Sequence, residues 1–181
     1  MKDIALHILD IALNSVSAGA TRVSIEIVEN RNEDKLTLRI ADNGKGMNDE
    51  MIQKVTDPYF TTRTTRRVGM GIPLLKHSAE QAGGSFGISS VLGQGTSLIA
   101  TFVHSHMDRP PTGDIAGVIS MLAGANPSMD FVYHHVRDDS RYNFDTREIK
   151  EALEDIPLNE PAVIRYMKEM IEENTKEIKK T

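Results

Sequence analysis

The chain has 181 residues, enough for one domain with a substantial extension, and 39% of them are hydrophobic, enough for a real core. It has no Cys, which excludes disulfides, thiolate zinc sites and Cys nucleophiles and fits a reducing cytoplasm. The formal charge of −5 is uneven: residues 1–106 hold 11 basic and 11 acidic side chains, and residues 107–181 hold 10 and 15, so the second part is poorly suited to gripping nucleic-acid phosphates.

Ile4, Ile8, Ile11 and Val16, with Leu9 and Ala12, recur at helical spacing, which predicts a helix over 3–16 that ends at Ala18-Gly19-Ala20. Val23, Ile25 and Ile27 alternate with Arg22, Ser24 and Glu26; Leu36, Leu38 and Ile40 alternate again after a polar turn. The prediction is an antiparallel hairpin of strands 22–28 and 35–41. Asn48 is placed to cap a short helix to Thr56. Asp57 to Val68 is rich in Thr and Arg and reads as a loop. Pro73 suits the first turn of the next helix, which Gly83-Gly84 stops. Strands are expected at Phe86–Ser90 and Thr96–His104.

Arg109-Pro110-Pro111 marks a boundary between residues 1–106 and an acidic α/β appendage over 107–181. In the appendage the pattern predicts a helix at 114–123, a hairpin of 131–136 with 141–144, a capping box of Asp145 with Glu148 opening a helix at 146–154, and a charged helix at 160–178. That last helix is either a solvated face or a partner-docking surface. No apolar run approaches the ~20 residues of a membrane span, and Met1-Lys2-Asp3 enters a helix with no cleavable signal. The expected location is the cytoplasm.

Asp10 and Asn14 are four apart and project from one helix face. An Asn amide oxygen suits Mg²⁺ beside phosphates, and a carboxylate one turn earlier can orient or deprotonate a water or hydroxyl. The pair also fits the plain polar side of an amphipathic helix. Asp42-Asn43-Gly44-Lys45-Gly46 follows a strand. A carboxylate there can accept from the exocyclic amine of adenine, and Gly44 and Gly46 let backbone approach the ring; guanine presents a carbonyl at that edge. Gly69, Met70 and Gly71 precede a helix, where free N–H groups favour phosphate. Arg63, Arg66 and Arg67 lie just upstream and could close over a polyphosphate. Thr96, after Gly93 and Gly95, could share a water with Asp42. The six histidines show no metal-ligand spacing and read as structural or exposed.

Together these segments resemble the GHKL ATPase superfamily over residues 1–106. Asp10 to Asn14 is similar to the N box, and Asn14-Ser15 through Thr21-Arg22 is close to its mismatch-repair form. Asp42 to Met47 is similar to the G1 box, Asp57 to Arg63 to the histidine-kinase F box, Val68 to Ile72 to the G2 box, and Gly93 to Thr96 to the last glycine motif. The F box and the Gly71-Ile72-Pro73-Leu74-Leu75-Lys76 run place the chain nearest the histidine-kinase branch. Asp114-Ile115 and Phe144 to Ile149 are similar to small stand-alone histidine-kinase-like ATP-binding proteins of anaerobic bacteria.

The resemblance implies a two-layer α+β sandwich of Bergerat type, with a mostly antiparallel sheet and helices on one face. It implies ATP and Mg²⁺ as ligands, Asn14 on the metal, Asp42 on adenine, and backbone at Gly69 and Gly71 on phosphates. Two departures stand out: Asp10 replaces the Glu of hydrolysing members, and Arg67-Val68 replaces a further glycine. The phospho-acceptor hairpin of a histidine kinase would precede the N box, so any acceptor is expected on another chain or in 107–181. Three readings follow: phosphate transfer to, or regulation of, a protein partner; a slow Mg-dependent ATPase acting as a conformational clamp; and a non-catalytic module sensing ATP against ADP.

Overall fold

A computed structural model describes residues 2–57 and 70–180. Helix α1 (Ile4–Ser17) begins where the Asp3 carboxylate accepts the Leu6 N–H. Strands β1 (Arg22–Asn30) and β2 (Lys35–Asp42) form the expected antiparallel hairpin. Helix α2 (Asp49–Thr56) is capped by Asn48, whose side chain accepts from Met51 N. Helix α3 (Gly71–Gln81) then leads to the hairpin of β3 (Phe86–Val91) and β4 (Gly95–Val103). Pro73 is tolerated because it is the third helical residue, where no intrahelical N–H bond is lost.

Beyond residue 106 come α4 (Ile115–Ala125), β5 (Asp130–Arg137), β6 (Ser140–Asp145), α5 (Thr146–Leu153) and α6 (Pro161–Lys180). At the α5 start the expected reciprocal partner is replaced. Asp145 accepts from the Arg147 N–H and its guanidinium, so Arg147 and not Glu148 completes the cap.

The sheet is α+β in character but mixed, with strand order β3-β4-β2-β1-β5-β6. Four pairings are antiparallel, and β5 joins β1 in parallel, with Ile25 opposite Tyr133. The residues after 106 therefore extend the same sheet. The inner face alternates as the sequence predicts: Val23, Ile25 and Ile27 on β1, Leu36, Leu38 and Ile40 on β2, Leu98, Ala100 and Phe102 on β4 are all buried. They share one core with Ile4, Ile8 and Ile11 of α1, Leu75 and Ala79 of α3, Ile119 and Leu122 of α4, and Met167 and Ile171 of α6. The other face carries ions; Arg39 pairs with Glu26 directly across the ladder at 2.6 Å.

Two buried titratable groups tie the fold to pH. His7 is fully buried on α1, its Nδ1 without a hydrogen-bond partner and its Nε2 3.4 Å from Ser78 Oγ. Burial lowers it from 6.5 to about 4. Burial alone would raise Glu29, but the hydrogen bond and charge of His135, with the His104 hydrogen bond, bring it to about 2. His7 stays neutral in the fold and charges on unfolding below its ordinary value. Its contribution therefore falls as pH drops from 6.5 towards 4, and that of Glu29 falls as pH drops from 4.5 towards 2. Urea unfolding across this range should show stability falling with acid, His7 adding at most about 1.4 kcal/mol per pH unit. A His7→Gln variant should lose the upper part of that slope and keep the lower; an unchanged slope would contradict the assignment.

Candidate functional site

A cavity of about 220 Å³ opens between α1, α2 and the sheet. Its walls are mostly apolar, with Ile11, Ile40, Met47, Met51, Val55, Ile72 and Leu98, and Asn14, Ser15, Ser17, Asp42, Lys45 and Thr96 supply the polar groups. Asp42 is the last residue of β2 and lies opposite Thr96 at the start of β4. The carboxylate accepts from Ser15 Oγ at 2.6 Å on one oxygen and from Gly44 N at 2.9 Å on the other. Two donors fix its plane and offset part of its desolvation. Thr96 Oγ1 lies 2.8 Å from Ser90 Oγ, which in turn donates to the Gly95 carbonyl and accepts from Met47 N.

Backbone crowding explains the glycines. Gly46 has φ +65°, and a Cβ there would fall on the Val91 carbonyl. A Cβ on Gly95 would fall on the carbonyl of Asp42 itself. Asn43, the middle of the motif, turns away from the cavity: its Oδ1 accepts from Thr21 N and Arg22 N, so it anchors the start of β1.

Asp10 does not line the cavity. It packs against Gly71, the first residue of α3, where any Cβ would collide with its carboxylate. Met70 is the N-cap residue and makes no side-chain capping bond, so the first N–H groups of α3 receive no cap from it. The structure thus gathers Asn14, Asp42, Gly46 and Thr96 at one cavity, sets Gly44 behind Asp42, and places Asp10, Met70 and Gly71 at the opening of α3. Arg63, Arg66 and Gly69 lie outside the described residues.

Ser15 is the functional candidate that motif reading passed over. Its signal was present: it continues the Ile4, Ile8, Ile11 stripe, where a polar residue is out of place without a buried partner. Met51 and Val55 were also missed, because α2 buries no residue fully and its apolar pair only closes the cavity.

The chain belongs to the histidine kinase-, DNA gyrase B-, and HSP90-like ATPase family, whose profile matches residues 1–106. Among curated proteins it is 33% identical over 89 residues to the sensor histidine kinase ZraS of Klebsiella oxytoca, covering 49% of this chain and 19% of that protein. It is 32% identical over 90 residues to the sensor protein kinase WalK of Staphylococcus haemolyticus, covering 47% and 15%. The match thus spans less than a fifth of either relative. In fold it is similar to the N-terminal domain of a DNA repair protein (TM-score 0.58, 13% identity, 79% of this chain and 52% of that one). It is also similar to the Aquifex aeolicus MutL ATPase domain complexed with ADP (TM-score 0.52, 16% identity, 84% and 69%). Among the described residues no helix is long and apolar enough to cross a membrane.

The packing of Asp10 on Gly71 is directly testable. Gly71→Ala should destabilise the fold by about 1–3 kcal/mol, the scale of overpacking a tight contact, read by urea unfolding. Combining it with Asp10→Ala should recover part of that loss. Additive losses would mean the two residues do not compete for this space.

Proposed function

We propose that the chain binds Mg·ATP in the cavity beside Asp42 and uses it to phosphorylate, or to be switched against, a protein partner. The observation that carries this reading is the Asp42 carboxylate, held by Ser15 and Gly44 in the wall of a mostly apolar slot. A flat base fits such a slot, and an acceptor there selects the amine of adenine over the carbonyl of guanine. The donors present also suit Mg²⁺. Asn14 offers an amide oxygen in the cavity wall and would hold the ion, with Asp10 one turn away. When bound, the metal neutralises triphosphate charge. The N–H groups at Gly71 and Ile72 would take phosphate oxygens, and Asp10 would orient the attacking water or hydroxyl. Transfer to a partner would rest on positioning and charge neutralisation.

The sensor-kinase relatives support a protein acceptor, on another chain or in residues 107–181, and those residues are the part of the sequence outside the family match. Location in the cytoplasm, where ATP is abundant, is part of the same proposal.

Calorimetric titration should find ATP and ADP binding and GTP failing to bind. Asp42→Asn should cost about 1–3 kcal/mol of ATP affinity, the scale of a hydrogen bond to a charged group. Equal affinity for ATP and GTP would refute the assignment. Asn14→Ala should weaken Mg·ATP more than metal-free nucleotide; an equal loss would make Asn14 a structural residue. Incubation with γ-labelled ATP then separates the chemistry: label on protein supports transfer, free phosphate a slow ATPase clamp operating through Asp10, and neither a sensing module.

A further inference from the structure

A second cavity, of about 300 Å³, lies under the C-terminal half of the sheet and shares no lining residue with the first. The start of α4 at Asp114–Ala116, the inner face of β5 and the last turns of α6 enclose it.

The strands beneath it break their own pattern. The apolar alternation of β1 through Val23, Ile25 and Ile27 ends on Glu29, which is 6% exposed, and that of β5 through Phe131 and Tyr133 ends on His135, which is 0% exposed. Glu29 Oε1 is 2.7 Å from His135 Nε2, and His135 Nδ1 is 2.9 Å from the Tyr133 hydroxyl. His104 Nε2 approaches the other Glu29 oxygen at 3.3 Å. His135 thus bonds Glu29 through one ring nitrogen and the Tyr133 hydroxyl through the other, and Arg137 Nε stands 4.0 Å from the same carboxylate. Such a network is no more stabilising than well-packed aliphatic side chains. Its evident consequence is a polar floor for the cavity.

Hydrogen-bond capacity also lies on the facing helix, in a hydroxyl that can donate or accept and in an ammonium that donates. The Thr175 hydroxyl oxygen is buried and faces the Tyr133 hydroxyl without completing a hydrogen bond to it. Lys179, one turn further on the same face, has no carboxylate oxygen within 4 Å among the described residues, although its charge acts on Glu29 beneath the cavity. The carboxylates at the rim are already engaged: Asp114 bonds Lys168 at 2.8 Å and accepts from Gly117 N, and Glu172 lies between Lys168 and Lys176 at 3.6 and 3.9 Å.

We propose that this cavity is a second ligand site, for a small anion bound through a carboxylate or phosphoryl group by Lys179 and the Thr175 hydroxyl over the His135–Tyr133 floor. Such a ligand would fasten α6 to β5 and stabilise the fold in proportion to its occupancy.

The test is an NMR titration of the full chain with inorganic phosphate and, separately, succinate, at ionic strength held constant with chloride. Saturable shifts centred on Tyr133, Ile171, Thr175 and Lys179 with at least one probe are expected. Which probe saturates distinguishes a phosphoryl from a carboxylate ligand. Lys179→Gln, at an exposed position that leaves packing untouched, should weaken binding about tenfold or more, and Lys176→Gln should not. Linear, unsaturated shifts with both probes (an adventitious ion only), saturation confined to residues 42–47 and 70–72, or tight binding that survives Lys179→Gln would each overturn the proposal.

Discussion

A carboxylate held at the end of a central strand is the constraint around which the first cavity is built. A carboxylate beside an apolar slot needs hydrogen-bond donors, and those of Asp42 come from two places: Ser15 on α1 and the backbone of its own turn at Gly44. That requirement fixes how close α1 sits to β2. It forces the turn after β2 and the turn before β4 into backbone contact, which is why Gly46 and Gly95 leave no space for a side chain. Asn43 points the other way and ties the same turn to β1, so one pentapeptide locks three strands and a helix together.

Much of this was legible in the sequence because it is local. The 3.6 periodicity of α1, the alternation of β1 and β2, and the Asn48 cap each follow from residues a few positions apart, and each appears as expected. The long-range features were not. Alternation in 131–136 identifies a strand, but β5 has two edges and nothing local says that one will pair in parallel with β1. Ser15 could be seen as a misplaced polar residue, but its partner lies 27 residues away. Arg147 replaced Glu148 at the α5 cap because a guanidinium that reaches both oxygens of Asp145 outcompetes a single reciprocal bond.

The pairing of β5 with β1 also bears on stability. Without it β1 would be an edge strand with a row of open N–H and C=O groups beside a largely apolar inner face, a template for misassociation. The sheet instead ends on β6 and β3. On β6, Arg141 and Asn143 are exposed and Asn143 meets His134 across the ladder, so that edge is polar on its outer face.

The two cavities differ in how they relate to the family. Every residue lining the first lies between Ile11 and Leu98, inside the matched region, whereas every residue lining the second lies between Thr112 and Lys179, beyond it. Strand β1 runs between them. Val23 stands opposite Asp42 at one end, and Glu29 grips His135 near the other, six residues on and roughly 20 Å away at the usual rise of a strand. The matched region therefore lines none of the second cavity; it reaches that cavity only through Glu29, which holds the lining residue His135 from behind. A buried acid on an inner face that would ordinarily be aliphatic has no purpose within residues 1–106 alone, where only His104 would answer it. Its bond to His135, beside the parallel pairing of β1 with β5, ties the matched region to the segment after it through a buried polar contact as well as through the sheet.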